Sequence, residues 1–193
     1  MKSVVKNPNS KILTEGLTYI VNGNNSALSK ELLEEQKGFC AYTETYLGRS
    51  DKREIDHFNP TLKGQSADNY QNWFLIKAQW NSEKSSKWAN FQPVLHPTAT
   101  DLVDRILYSN GDYLLANAND VEAKNLVALI KLDDPDLAAE RKKYINRKRD
   151  EIQQFGVSAK EFFEILIQQD ISSIKFIRAI ENEFNFDLYS MLP

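Results

Sequence analysis

The chain has 193 residues, with 24 lysines and arginines against 27 aspartates and glutamates, giving a formal net charge of −3. Its hydrophobic content of 41% and charged content of 26% exclude a disordered chain and predict a globular protein with a sizeable core. The negative charge argues against a generic, free-standing DNA-binding protein, because such proteins gain affinity mainly by neutralising phosphates.

The sequence contains no signal for membrane insertion or export. No apolar run approaches the ~20 residues of a membrane helix, and the amino-terminal segment lacks the apolar core of a signal peptide. The single cysteine, Cys40, excludes an internal disulfide and suits a reducing compartment. We therefore expect a cytoplasmic protein with no membrane partner.

The first fifty residues predict helix followed by a short extended segment. Residues 10–21 indicate a short helix that ends before Gly23. Leucine spacing predicts a second helix over Ser26–Gln36, with Gly38 as its stop. Residues 39–45 favour a strand or strand-like turn, and we expect the leucine-rich helix to pack on the unit that follows.

The stretch from Glu54 to Lys84 predicts a strand, a loop, a second strand and a helix. Polar and apolar residues alternate over 54–58, and Asn59-Pro60 ends this strand because proline removes a backbone donor. A polar stretch at 61–69 is typical of a loop. The apolar run 73–76 predicts the second strand, and residues 78–89 have helical spacing.

Three side chains in this unit suit metal-assisted hydrolysis of a phosphodiester. Asp56 offers an anionic oxygen and Asn81 a carbonyl oxygen, which are ligands that Mg²⁺ or Mn²⁺ accepts. His57 is the adjacent base, since an imidazole of ordinary pKa is mostly neutral at physiological pH. Neighbouring strand residues point to opposite faces, so both can serve one cleft only where the strand ends or bulges.

This unit resembles the HNH, or ββα-metal, nuclease motif, and the match covers about a sixth of the chain. The resemblance implies that Asp56 and Asn81 bind the metal and that His57 is the general base. It also implies that Asn72, just before the second strand, orients the imidazole. The spacing of His57, Asn72 and Asn81 is similar to that in the HNH domain of RNA-guided CRISPR nucleases.

Two flanking segments, 39–44 and 108–113, extend the resemblance. They are similar to the small HNH proteins that accompany an ATPase in Septu-type and retron-linked bacterial antiphage defence. The resemblance therefore implies an effector endonuclease that cuts nucleic acid in complex with an ATPase partner. We favour DNA over RNA as the substrate, and the sequence leaves that choice open.

The chain departs from that pattern at the two CxxC pairs that hold a structural zinc in many such proteins. The corresponding positions are Cys40 with Thr43 and Lys77 with Trp80, so three of four thiols are missing. Because tetrahedral structural zinc needs four soft or imidazole ligands, we expect none here. Apolar packing would take its place, by Phe39, Tyr42 and Trp80.

Lysines around the predicted helix could contact substrate phosphates. We assign this role to Lys77, Lys84 and Lys87. The densest basic run, 141–149, has two interpretations of equal weight: a solvated helix face balanced by nearby acids, or a track for phosphates. For His96, between apolar and proline residues, we favour a structural hydrogen bond over a role near the substrate.

The second half of the chain predicts one hairpin and then helices. Asn110-Gly111 indicates a hairpin between 102–108 and 113–116. Helices are predicted by the apolar spacing at 121–130, at 136–155 with Gly156 as the stop, after a capping box at Ser158–Glu161, and around 174–180.

We therefore predict an α+β fold in which a ββα-metal HNH unit is embedded in a mostly helical domain. Residues 1–118 would form the nuclease domain, and the helical region 119–193 would pack on it or bind a partner. An Asp-His pair alone is most often structural, but here three signals occur in the required order. Two alternatives stay open: a non-catalytic module that binds nucleic acid or an ATPase, and an RNA-directed or toxin-like nuclease with an immunity partner.

Overall fold

The computed structural model describes residues 1–85 and 87–193. Over the part of the chain that the structure describes, about 47% is helical and 12% is strand, with small antiparallel sheets, which is compatible with the predicted α+β class. The helices are α1 (Lys11–Thr14), α2 (Ser26–Glu35), α3 (Ala78–Ser85), α4 (Leu102–Arg105), α5 (Val121–Leu129), α6 (Pro135–Phe155), α7 (Ala159–Asp170) and α8 (Ile177–Phe184). The strands are β1 (Arg53–His57), β2 (Trp73–Lys77), β3 (Ile106–Ser109) and β4 (Asp112–Leu115).

The predicted strand, loop, strand and helix are present. β1 pairs with β2 in antiparallel register from Arg53 opposite Lys77 to His57 opposite Trp73. The ladder continues one step further, because Phe58 N–H donates to the carbonyl of Asn72 at 2.8 Å. The chain then passes directly from β2 into α3, which packs against both strands.

The buried side chain of Gln36 ties the end of α2 to this hairpin. Its carbonyl oxygen accepts from Leu75 N–H, and its amide donates to the carbonyl of Leu75, each at 2.8 Å. Ala41 N–H reaches the same carbonyl at 3.2 Å. The leucine-rich helix therefore packs on the hairpin as expected, and β2 is buried from Trp73 to Ile76.

Two local predictions differ from the structure, and one pair of alternatives is decided. The first helix stops at Thr14 because Gly16 takes a left-handed conformation with φ of 64°. Residues 39–45 form the strand-like turn rather than a strand: a turn at 41–43 lies among the isolated bridges Phe39 to Tyr46 and Thr45 to Lys175. Helix α3 is shorter than the predicted 78–89: a 3₁₀ turn covers Trp88–Asn90, and residue 86 of the predicted helix lies outside the described residues.

The second hairpin forms around Asn110 and Gly111, although its first strand is shorter than predicted because residues 102–105 are helical. Both turn residues have positive φ, as a tight hairpin turn requires. A Cβ on Gly111 would lie 2.8 Å from the carbonyl oxygen of Ala138, so α6 packs directly on this turn.

The carboxy-terminal helices begin and end close to the predicted residues. Asp134 caps α6 at its start, and Gly156 ends it in the left-handed conformation. The hydroxyl of Ser158 accepts from Glu161 N–H, one half of the predicted capping box. The last helix begins at Ile177, later than predicted, because Phe176 has φ of 59°.

Two apolar clusters form the core. The first combines the amino-terminal helices, the ββα unit and α5, and extends to Leu132. The second joins α6, α7 and α8 with Phe39. Arg178 links the two clusters through the carbonyls of Met1 and Ile106. None of the described helices is long and apolar enough to cross a membrane.

Candidate functional site around the first hairpin

Asp56 lies on the face of β1 that is covered by α3, and only 1% of it is exposed. Its Oδ2 accepts from the Tyr42 hydroxyl and from the ammonium of Lys84, the latter at 2.8 Å. The same ammonium donates to the carbonyls of His57 and Phe58, each at 2.8 Å. All three N–H groups of Lys84 therefore bind protein oxygens, so none is left for the phosphate contact assigned to this residue.

Asn81 faces the same gap between strand and helix. Its amide Nδ2 donates to Oε2 of Glu54 at 2.9 Å. Glu54 precedes Asp56 by two residues on β1, so the two carboxylates share one face of the strand. Asn81 and Lys84 are three residues apart on α3 and share one face of the helix. Asp56 and Asn81 are thus brought to facing surfaces, each with another protein partner.

The oxygens in this gap are of the kind that a small hard cation accepts. Asp56 and Glu54 supply carboxylates, and the bond made by Asn81 leaves its carbonyl oxygen Oδ1 as the possible ligand atom. Among the described residues, no group of three or more His, Cys, Asp or Glu side chains could hold a metal. A site here would depend on Asn81, and a cation would share Asp56 with the ammonium of Lys84.

His57 lies on the opposite face of β1, because the ladder runs regularly through this residue without a bulge. The imidazole packs edge-on against Tyr19, with ring centroids 4.3 Å apart. Its Nε2 lies 3.0 Å from Oδ2 of Asp68, and both side chains are about 5% exposed or less. The two atoms are close but not aligned for hydrogen bonding, so Nε2 has no hydrogen-bond partner among the described residues.

Burial lowers the pKa of His57 below its ordinary value of 6.5. The carboxylate of Asp68 acts in the opposite direction and raises this pKa, while the ammonium of Lys63 lowers it further. The net effect is an imidazole that is neutral at pH 7, the protonation state that a general base requires.

Asn72 braces the loop between the two strands. Its Oδ1 accepts from Asn59 N–H at 2.7 Å, and its Nδ2 donates to the carbonyl of Asn59 and to Oδ1 of Asp68, at 3.1 and 2.9 Å. Trp73 Nε1 also donates to Asp68 Oδ1, at 2.7 Å. Asn72 therefore reaches His57 through Asp68.

Asp68 is a candidate functional residue that the sequence reasoning missed. It lies in the polar stretch 61–69, where an aspartate is ordinarily a turn residue. The available signal was topological: in an antiparallel hairpin, residues just before β2 lie beside the end of β1. A carboxylate four residues before Asn72 is therefore close to His57.

The two other predicted phosphate contacts differ in their surroundings. Lys77 pairs with Asp51 at 3.3 Å, and both side chains are about one-third exposed. Lys87 is exposed next to the Trp88–Asn90 turn. Of the lysines assigned to phosphate, Lys87 therefore has the most open position.

The positions that correspond to zinc ligands contain packed side chains. Cys40 is a buried free thiol, and the Thr43 hydroxyl lies 2.8 Å from that of Thr45. Trp80 packs against both apolar clusters. Phe39 and Tyr42 are buried, so these aromatic rings join the surrounding elements.

His96 makes a local hydrogen bond, as favoured from the sequence. Its Nδ1 lies 2.7 Å from the Thr98 hydroxyl and accepts from Thr98 N–H at 3.3 Å. The ring packs against Phe58, with centroids 4.8 Å apart. Burial lowers its pKa below 6.5, and the ammonium of Lys6 lowers it further.

Most charges of the basic run 141–149 have partners. Arg141 is buried and donates to the carbonyls of Gly111 and Leu132. Lys148 pairs with Glu151 at 2.8 Å. Two more pairs are Arg147 with Glu151 and Arg149 with Glu183. These contacts favour the interpretation of a balanced helix over a track for phosphates.

Neither a protein-family model, nor a curated protein, nor a solved structure matches this chain. The functional argument therefore depends on the arrangement of residues around β1 and α3.

Proposed function

We propose that this chain is a divalent-metal-dependent endonuclease of the HNH type. The observation that carries the proposal is the strand–loop–strand–helix unit, which brings Asp56 and Asn81 to facing surfaces of β1 and α3. His57 lies on the other face of β1, contrary to the expectation of one shared cleft, so the proposal requires the end of β1 to turn before the imidazole and the cation can reach the same phosphate. The effector role in an antiphage complex with an ATPase partner, and the preference for DNA, are parts of the proposal that depend on the sequence alone.

His57 would accept a proton from water at Nδ1, because the carboxylate 3.0 Å from Nε2 favours the tautomer that carries the ring hydrogen on Nε2. The imidazolium that forms would lie beside the carboxylate of Asp68, which stabilises the positive charge at 3.0 Å. Asn72 and Trp73 hold Asp68 in place through its other oxygen. Because the imidazole of His57 is buried, hydrolysis also requires the segment of Tyr19 or the loop of Asp68 to move and admit water.

Asp56 and Asn81 would hold Mg²⁺ or Mn²⁺, with Glu54 beside them. The cation would supply positive charge against the negative charge that develops on the phosphate oxygens. The ammonium of Lys84 already neutralises the buried Asp56. When the cation binds, Lys84 would therefore either share the Asp56 carboxylate with it or move away from that carboxylate.

The Lys84–Asp56 ion pair also supports a second candidate function, a non-catalytic module of the same shape. A buried carboxylate whose Oδ2 accepts from an ammonium and a hydroxyl has the structure of a stabilising contact. In that case the unit would bind nucleic acid or a partner protein without cutting.

Incubation of the parent protein with plasmid DNA, single-stranded DNA and RNA separates the two candidates. We expect cleavage with Mg²⁺ or Mn²⁺, none with chelator, and a loss of about 10²–10⁴-fold in His57→Ala, the range for removal of a general base. Gln154→Ala, exposed near the end of α6, is the matched control. If His57→Ala cuts as fast as the parent, the assigned base is wrong; if the parent binds but never cuts, the non-catalytic module stands.

A further inference from the structure

A groove of about 340 Å³ lies between the β1–β2 loop and the segment that follows α3. Its volume is that of a small-ligand site. Phe58, Asn59 and Gln71 line it from the loop, and Trp88, Gln92 and His96 line it from the other side. Phe58 and Asn59 directly follow His57, so the groove begins where β1 ends.

The lining is aromatic and neutral. None of the described residues that line the groove is Asp, Glu, Lys or Arg. Because His96 Nδ1 accepts from Thr98 N–H, the neutral ring carries its hydrogen on Nε2 and has a donor there. Gln92 donates its amide to the carbonyl of Trp88 at 3.0 Å, which leaves its side-chain carbonyl as an acceptor. Donors and acceptors of this kind match the edges of nucleobases.

The aromatic wall is fixed from behind. Phe58 and Trp88 pack edge-to-face with centroids 5.2 Å apart. The buried ammonium of Lys84 lies 5.4 Å from the Phe58 centroid and 5.8 Å from the Trp88 centroid. A rigid indole beside neutral polar groups provides a platform on which a planar base can stack.

Two exposed lysines adjoin residues of the groove lining in the sequence. Lys87 precedes Trp88, and Lys63 follows Leu62, another residue of the lining; both lysines are exposed. A ligand whose neutral part lies inside the groove and whose negatively charged part lies outside it would match both the neutral lining and the nearby lysines. A nucleotide within a strand has this distribution of charge, with its base inside and its phosphates outside.

We propose that this groove binds one unpaired nucleobase of a single-stranded nucleic acid, stacked on Trp88, and so holds the strand next to the hydrolytic site. The proposal depends on the proposed function for the nature of the substrate. A base within a duplex is excluded from such a groove unless it leaves its stack, so single-stranded substrate should bind more tightly than duplex.

The test is fluorescence anisotropy with a labelled ten-nucleotide single strand, in the presence of chelator so that no cleavage occurs. The competitors are the duplex and an abasic strand of the same length, which keeps the phosphates and lacks the bases. We expect Trp88→Ala to weaken binding about five- to hundredfold, the range for one stacked base. Trp88→Phe should retain most of the affinity, and Phe155→Ala, an exposed aromatic on α6, should match the parent.

Equal competition by the abasic strand, or unchanged affinity in a folded Trp88→Ala, would overturn the proposal. If Trp88→Ala does not fold, Gln92→Glu places a carboxylate at this exposed position and should weaken binding about tenfold, whereas Gln154→Glu should not. The hydrolytic proposal fails separately: base-dependent binding without cleavage in Mn²⁺ removes the nuclease and keeps the groove. Conversely, cleavage at the parent rate in Trp88→Ala would support the nuclease and remove the base-binding groove.

Discussion

The two faces of β1 carry two adjacent ionisable side chains that differ in their hydrogen-bond partners. On one face, Asp56 is surrounded by the Tyr42 hydroxyl and the Lys84 ammonium, and every N–H of that ammonium has an oxygen partner. On the other face, His57 is equally buried, yet its Nε2 has a carboxylate nearby and no aligned hydrogen bond among the described residues.

This difference separates a compensated contact from a reactive one. A buried ion pair holds neighbouring elements together. Removing either partner leaves the other charge buried and unpaired, which lowers the free energy of unfolding. A buried imidazole that lacks an aligned hydrogen bond contributes less to stability than a paired group that is equally buried, and it can still take up a proton. The Asp56 face should therefore respond to mutation mainly in stability, and the His57 face mainly in activity.

The largest effect should come from Lys84→Ala. It leaves the carboxylate of Asp56 buried without its cation, which costs about 3–5 kcal/mol in the free energy of unfolding. Chemical denaturation of parent and variant measures this loss, and Lys87→Ala, an exposed lysine next to the same helix, should change it little.

The same variant tests the cation site. The carboxylate and the two carbonyls that bind the ammonium are hard oxygen ligands. If Asp56 accepts a divalent ion, Mn²⁺ should restore part of the lost melting temperature in Lys84→Ala, and the double variant with Asp56→Ala should show no such recovery. An identical response in the two variants would count against a cation at Asp56.

Tyr42→Phe should have the next largest effect on the Asp56 face. It removes one hydroxyl donor from a buried carboxylate and should cost about 1.5–3 kcal/mol, the range for a hydrogen bond to a charged group. Burial and the charge of Asp56 raise the pKa of Tyr42 well above 10, so the hydroxyl is a donor at every pH of interest. Denaturation midpoints that match the parent would show that Lys84 alone compensates Asp56.

On the His57 face, Asp68→Asn keeps the shape of the side chain and removes its charge. We expect cleavage to fall roughly ten- to hundredfold, because the imidazolium formed during proton transfer loses its neighbouring carboxylate. The charge of Asp68 raises the pKa of His57, so the acid limb of the pH–rate profile should move to lower pH in the variant. A drop in rate with an unmoved limb would indicate a purely structural role.

The sequence predicted the elements of this site better than their contacts. Alternation over 54–58, the Asn59-Pro60 stop, the apolar run 73–76 and the helical spacing of 78–89 are local signals, and they identify β1, β2 and α3. Which side chains meet depends on how the 61–69 loop folds back. Asp68 was missed for that reason, because only the pairing of β1 with β2 brings it next to His57.

The same limit explains Lys84. A lysine on a short polar helix is ordinarily solvated, and nothing local shows that its ammonium ends among three buried oxygens. The roles of Asp56, His57, Asn72 and Asn81 stay predictions that the experiments above test.

The smallest effect we predict is on stability between pH 7.5 and 5. Burial lowers the pKa of both histidines below 6.5, so the unfolded chain binds protons more readily than the folded one in this range. The free energy of unfolding should therefore decline as the pH falls below about 6.5, and the decline should be complete below the folded-state pKa values. Thermal melts of the parent, His57→Gln and His96→Gln at several pH values measure this decline. Each variant should show a smaller dependence of melting temperature on pH than the parent, because it lacks the contribution of one histidine. A parent melting temperature that is flat over this range would mean that neither imidazole is held neutral, and the general base assigned to β1 would then have no protonation advantage over an ordinary histidine.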